Sequence, residues 1–357
     1  MTPSEPAARP GPGPVAGPGP QADSPVPRAD SPGDAAAPGD AAPRPAASHV
    51  AAFHALHHAD EPLLLPNAWD VASAAALADA GHPAIGTTSL GIAAAHGYLD
   101  GQGLAEVREA TLSLARRLGR LLPCPYTVDI EGGFVGEVLR GETAGGRGLS
   151  GHVASLAEEL ANLGASGVNL EDGLPGGAGL QDASLQAELI EAVKEKAPRL
   201  FLNARIDTHW LTDDPPPLSV TLARAERYLA AGADGIFVPG VVADEDVAAL
   251  VAAIPAPVNI LFAPARHTVR RLADLGVRRI STGSLLFRTA LRATLAAADS
   301  VRASGRPYDG AHGMAGAREA EGAAGVEWPG EGEGRGVPGY EEVQRLAEER
   351  PRGRTRQ

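Results

Sequence analysis

The chain has 357 residues, 44% hydrophobic and 21% charged, enough to bury a full core in one large domain with tails. A net charge of -13 with no visible basic patch argues against a nucleic-acid partner. The single cysteine, Cys124, excludes an internal disulfide framework, and no apolar run is long enough to span a bilayer, so the chain reads as soluble and cytoplasmic.

Residues 1–48 are rich in Pro, Gly and Ala and hold almost no large apolar side chains. They cannot offset the entropy of ordering and are expected to be a disordered tail. Residues 304–357 read the same way, with Gly-Glu runs around Trp328 and one short helix near 340–349. The interval 49–303 has the size of a (β/α)8 barrel.

Within it, a helix over 49–59 leads into eight short apolar runs. They are Leu63-Leu64-Leu65-Pro66, Ala84-Ile85-Gly86-Thr87-Thr88, Tyr126-Thr127-Val128-Asp129, Gly167-Val168-Asn169-Leu170, Leu200-Phe201-Leu202-Asn203-Ala204, Gly235-Ile236-Phe237-Val238, Val258-Asn259-Ile260-Leu261 and Arg279-Ile280-Ser281-Thr282. Each precedes a helical stretch, at 70–80, 104–118, 153–163, 185–196, 219–231, 244–253, 268–275 and 285–298. Strands apolar on both faces that alternate with helices predict an α/β fold with a buried parallel sheet, and eight units predict a closed TIM barrel.

The third run ends Asp129-Ile130-Glu131-Gly132-Gly133. Alternation along a strand places Asp129 and Glu131 on one face, where two acids repel unless a cation sits beside them. A solvated strand end is the rival reading. Other strand ends carry Asp100, Glu171 with Asp172, and Arg205 with Asp207, and active sites of such barrels lie at that rim. The concentration of acids favours a metal site, and oxygen ligands without His or Cys suit a hard cation, Mg2+, with Mn2+ as the alternative.

Lys194 and Lys196, the only lysines, share one helix, which removes Schiff-base chemistry. His54, His57 and His58 have a spacing that can bind zinc on a helix, but they lack an acid partner and are read as surface or packing residues. His96 and Tyr98 stand between the second strand and Asp100 as candidate acid or base; packing is the rival role. Ser284 reads as an N-cap, with an anion seat at Gly283-Ser284 as the rival role, and Cys124 reads as structural.

The words Leu65-Pro66-Asn67-Ala68-Trp69-Asp70, Thr87-Thr88-Ser89-Leu90-Gly91, His96-Gly97-Tyr98-Leu99-Asp100, Asp129-Ile130-Glu131-Gly132-Gly133, Asn169-Leu170-Glu171-Asp172, Asn203-Ala204-Arg205-Ile206-Asp207 and Gly232-Ala233-Asp234-Gly235-Ile236-Phe237-Val238-Pro239 follow one another in order. Over nearly all of 60–300 the chain thereby resembles the isocitrate lyase and phosphoenolpyruvate mutase superfamily. The resemblance implies Mg2+ contacted chiefly by Asp129, with Asp100, Glu131 and Glu171 holding its waters. It implies a substrate carboxylate gripped by backbone groups at Ser89 and Leu90 and by Arg205, with Arg205, Glu171 and Asp100 as the catalytic set. A homo-oligomer, dimer or tetramer, is implied too, with residues 285–303 as an interface.

The sequence also departs from that superfamily. The lyases' Lys-Lys-Cys-Gly-His loop is replaced by Asp172-Gly173-Leu174-Pro175-Gly176-Gly177, the mutase's gating-loop lysine and asparagine are missing, Pro239 matches its strand-six histidine, and Ile85 stands where methylisocitrate lyases have a tyrosine. Residues 136–150 form a Gly-rich insertion that reads as a lid or a disordered loop. The expected activity is a Mg2+-dependent lyase that cleaves a C–C bond beside a 2-oxo or 2-hydroxy carboxylate through a pyruvate-like enolate. C–P or P–O chemistry on a phosphonopyruvate or phosphoenolpyruvate-type substrate is the first rival, and a non-catalytic carboxylate-binding barrel the second.

Overall fold

The computed structural model describes residues 46–136, 148–212 and 214–304. The expectations for the two tails, for the helix near 340–349 and for most of the 136–150 insertion lie outside these residues. The chain separates into Met1–Ala42, also outside them, and Pro43–Gln357, which contains the barrel.

All ladders are parallel, in the order β1-β9-β8-β7-β6-β5-β4-β3-β2. The strands are β1 (Leu63–Leu65), β2 (Asn67–Ala68), β3 (Ile85–Thr87), β4 (Tyr126–Asp129), β5 (Gly167–Glu171), β6 (Phe201–Arg205), β7 (Gly235–Phe237), β8 (Val258–Leu261) and β9 (Arg279–Ser281). Nine strands replace the expected eight because the first run breaks at Pro66. Lacking an N–H, Pro66 interrupts the ladder, so β1 pairs with β9 and β2 with β3. The ring therefore closes through one peptide segment that changes partners.

Asn67 fastens this seam. Its Oδ1 accepts from the backbone N–H of Thr282 and of Gly283, both at 2.9 Å, while its Nδ2 donates to the Thr87 carbonyl at 2.7 Å. Asn67→Ala leaves buried donors without acceptors and is expected to destabilise the protein by about 2–4 kcal/mol, measured by denaturant unfolding.

Helices cover the outer face of the barrel. A helix over Ala105–Leu121 buries Val107, Leu112, Leu114, Ala115 and Leu118 against the sheet, with exposed charges opposite. One element was not expected: Ser89–Ala95 forms a short helix directly after β3.

The helix over Ala46–Leu56 and the turn after it close the bottom of the barrel. Phe53 packs edge-on to Phe201, and the His57 ring stacks on Phe201 at 4.0 Å. Burial lowers the His57 pKa to about 3, with Arg279 adding to the effect, so His57 is a neutral packing residue. His54 Nε2 lies 3.1 Å from the Arg199 carbonyl.

Candidate active site

A cavity of about 540 Å³ opens at the C-terminal ends of the strands. Asp100, Asp129, Glu131 and Glu171 all line it, together with Ser89, Leu90 and Arg205. Asp129 ends β4, and Ser89 Oγ donates to its Oδ2 at 3.2 Å.

Glu131 reaches the cavity by a different route from the one alternation predicts. The strand stops at Asp129, and Glu131 adopts φ +50°, a left-handed conformation uncommon for a non-glycine residue. Strain of this kind persists only where the surroundings fix it. Here the Gly103 N–H donates to Glu131 Oε2 at 3.0 Å and docks the loop that carries Asp100. Glu131 Oε1 is buried with no hydrogen-bond partner among the described residues. Burial, then the neighbouring Asp100, pushes the Glu131 carboxyl up to about 8.

Arg205 ends β6 in register with Glu171 on β5. Its Nη1 lies 2.7 Å from Glu171 Oε2, its Nε donates to Asp207 Oδ1 at 2.6 Å, and its Nη2 to Asp207 Oδ2 at 3.1 Å. Three of the five guanidinium N–H groups are thus engaged, leaving one on each terminal nitrogen. Burial raises the Glu171 carboxyl and Arg205 pulls it back; so short a contact with a permanently charged guanidinium holds the ionised form. The guanidinium also lies over the Trp210 and Phe237 rings, at 5.7 and 5.9 Å.

Asp207 is a site residue that strand-end reading noted without a role. Its backbone N–H donates to Asp172 Oδ1 at 2.8 Å, and Asp172 Oδ2 accepts from Tyr228 at 2.7 Å and from Arg224 at 2.9 Å. Asp172 is therefore a buried brace behind the Glu171, Arg205 and Asp207 cluster and does not line the cavity. Asp70 caps the helix over Val71–Asp79. His96 lies outside the cavity lining with Nδ1 on the Ile92 carbonyl at 2.8 Å, and Tyr98 packs against the core. Cys124 is half-buried outside the lining, and Gly283 and Ser284 line the cavity. Asn67, directly after the first run, lines the cavity as a strand-end residue should; Asn169, Ser281 and Trp210 join the lining without having been singled out for it, the first two being polar residues inside otherwise apolar runs.

Five carboxylates, Asp100, Asp129, Glu131, Glu171 and Asp207, face one lining arginine, an excess that suits a divalent cation. Among the described residues no three His, Cys, Asp or Glu side chains converge as a direct ligand cluster. That arrangement fits Mg2+, which keeps several waters and takes one or two carboxylates directly, and the unpartnered Glu131 Oε1 is placed to accept from such waters.

The pH response of the metal-free protein tests this crowding. A carboxyl whose folded pKa lies above its unfolded value adds stability at low pH that is lost as pH rises through the folded value. His57, neutral and buried, acts oppositely below its ordinary pKa of 6.5. Between pH 6.5 and 8 the Glu131 effect stands clear of it, so Tm in chelator is expected to fall across that window and to fall less in saturating Mg2+.

The family model for phosphoenolpyruvate phosphomutase matches residues 53–302. An uncharacterized protein of Mycobacterium tuberculosis is 41% identical over 249 residues, covering 70% of this chain and 88% of that one. The 2-methylisocitrate lyase of Bacillus subtilis is 29% identical over 213 residues, 57% of this chain and 64% of the lyase. Among solved structures, a candidate phosphonomutase from Burkholderia cenocepacia J2315 is 37% identical with a TM-score of 0.63, covering 71% of this chain and 99% of that one. With its barrel, its rim of carboxylates and this match across the barrel, the chain belongs to the phosphoenolpyruvate phosphomutase family.

Proposed function

We propose that the protein is a Mg2+-dependent lyase that cleaves a C–C bond next to a 2-oxo or 2-hydroxy carboxylate, releasing a pyruvate-like enolate that is then protonated. The observation that carries this reading is a cavity rich in carboxylates with a single lining arginine, whose spare N–H groups suit one carboxylate. The absence of the mutase's gating-loop lysine and asparagine counts against C–P and P–O chemistry.

Asp129 is the direct metal ligand in this reading, and Asp100, Glu131 and Glu171 hold the surrounding waters. When bound, Mg2+ supplies Lewis-acid polarisation of the 2-oxo carboxylate. The chain's own residues do the rest. Ser89 Oγ orients Asp129, and the backbone at Ser89 and Leu90, in the first turn of its helix, faces the carboxylate alongside Arg205. For a 2-oxo acid, Arg205, held by Asp207 and Glu171, stays charged and stabilises the negative charge that develops as the electron pair of the breaking bond moves onto the carbonyl oxygen and the other fragment leaves, as carbon dioxide in a decarboxylation. Trp210 and Leu174 add apolar surface to the lining. Relatives include the oxaloacetate decarboxylase of Pseudomonas fluorescens, 28% identical over 199 residues, in keeping with C–C cleavage.

The test is incubation with Mg2+ and a panel of 2-oxo acids, malate derivatives and phosphonopyruvate, following pyruvate and phosphate. Pyruvate from substrates without phosphorus supports the lyase. Phosphate release from phosphonopyruvate alone transfers the assignment to C–P chemistry, and no product with Mg2+ or Mn2+ leaves a carboxylate-binding barrel.

A further inference from the structure

Beneath the cavity floor lies a charged side chain to which the lyase chemistry above gives no role. Arg279 begins β9, points into the barrel and is fully buried. Its Nε donates to Ser281 Oγ at 3.1 Å and its Nη2 to Asn169 Oδ1 at 3.0 Å, and both partners line the cavity. The guanidinium is thus one side chain below the floor. Its Nη1 has no hydrogen-bond partner among the described residues, and neither amide atom of Asn259, its register partner on β8, has one.

A buried cation without a carboxylate partner is costly, and a neutral side chain of similar volume would remove that cost. Burial pulls the Arg279 pKa down to about 9, with Asp129 opposing, so the group remains charged at neutral pH. Its position under the acid rim gives that charge a use.

We infer that Arg279 is a positioning residue for the reaction: a fixed positive floor whose field draws the anionic substrate down into the cavity and tempers the pull of the carboxylates on the metal. The inference rests on the lyase reading and adds a second cation to it. Arg205 meets the carboxylate directly, while Arg279 acts across Asn169 and Ser281. This dry, one-sided arrangement favours small anionic 2-oxo acids over neutral ketones of the same shape.

A charge and a mere packing role predict different signs. In the full-length chain, Arg279→Gln is expected to tighten binding of Mg2+ alone severalfold and to weaken binding of oxalate to the Mg2+-loaded protein by roughly tenfold, the scale of one unit charge a few ångströms away. Loss of a packing residue would loosen both. Asn259→Asp gives an independent readout: a carboxylate placed beside an unpaired guanidinium should raise Tm, whereas a buried carboxylate without a cation should lower it. Calorimetric titration and thermal unfolding supply the measurements. Wild-type protein that takes up no Mg2+ overturns both this inference and the lyase reading. Wild-type uptake with unchanged or looser Mg2+ binding in folded Arg279→Gln overturns the inference alone, as does a lowered Tm in Asn259→Asp should Arg279→Gln fail to fold.

Discussion

Asp129→Ala is expected to lower kcat/KM at least about 1000-fold, which corresponds to about 4 kcal/mol of transition-state stabilisation. The loss should extend to the metal itself, so that titration of the variant with Mg2+ gives no heat. Asp129 is the acid at the strand end where Ser89 fixes one oxygen, and among the described residues no group of three acids converges to replace it. Stability should move the other way. Removing one carboxylate from a crowded, metal-free rim relieves repulsion, so Tm in chelator should hold or rise. The Tm increase that Mg2+ gives the wild type, a consequence of ligand binding to the folded state, should vanish. Retained turnover in this variant would remove Asp129 from the metal position.

Arg205→Ala is expected to damage both activity and fold. In the proposed lyase its spare N–H groups meet the carboxylate in ground and transition states alike, so KM should rise while kcat falls, with kcat/KM down by about 100-fold or more. The three engaged N–H groups neutralise Glu171 and Asp207, both buried. Breaking such a cluster from one side leaves uncompensated charge and costs about 3–5 kcal/mol. Arg205→Lys should recover only part of either loss, because a single ammonium cannot serve Asp207 through two bonds and Glu171 through a third. An unchanged KM in folded Arg205→Ala would take Arg205 out of the substrate site.

The barrel and most of its rim could be read from the sequence because both depend on short-range pattern. Apolar runs at regular spacing set the strands, and acids directly after them must lie at the strands' C-terminal ends. Asp129 and Glu171 follow from that rule, as Arg205 does from the same placement, whereas Asp100 stands well past β3, beyond the helix over Ser89–Ala95, and was read from the loop and the family words. Glu131 reached the correct cavity through incorrect geometry: alternation assumes the strand continues, whereas Gly132 and Gly133 allow a turn that begins at Glu131 itself. Pro66 was read as part of the first run, and only the pairing of β1 and β2 with different neighbours shows that it breaks the strand at the seam. The short helix at Ser89 was hidden because seven residues of small and apolar type carry no helical period. Arg279 was the least legible, since an arginine at the start of a strand ordinarily faces water. Only ring closure brings it under Asn169, 110 positions away in the chain.

The aromatic cluster of Phe53, His57 and Phe201 backs the barrel at the end away from the acid rim. Asn169 joins the cavity to the buried Asn259 and Arg279 beneath it, so a ligand seated on Asn169 covers that layer from the mouth side. Deuterium uptake at the amides of Asn259 and Arg279 should slow when the mouth is occupied, even though neither residue lines the cavity.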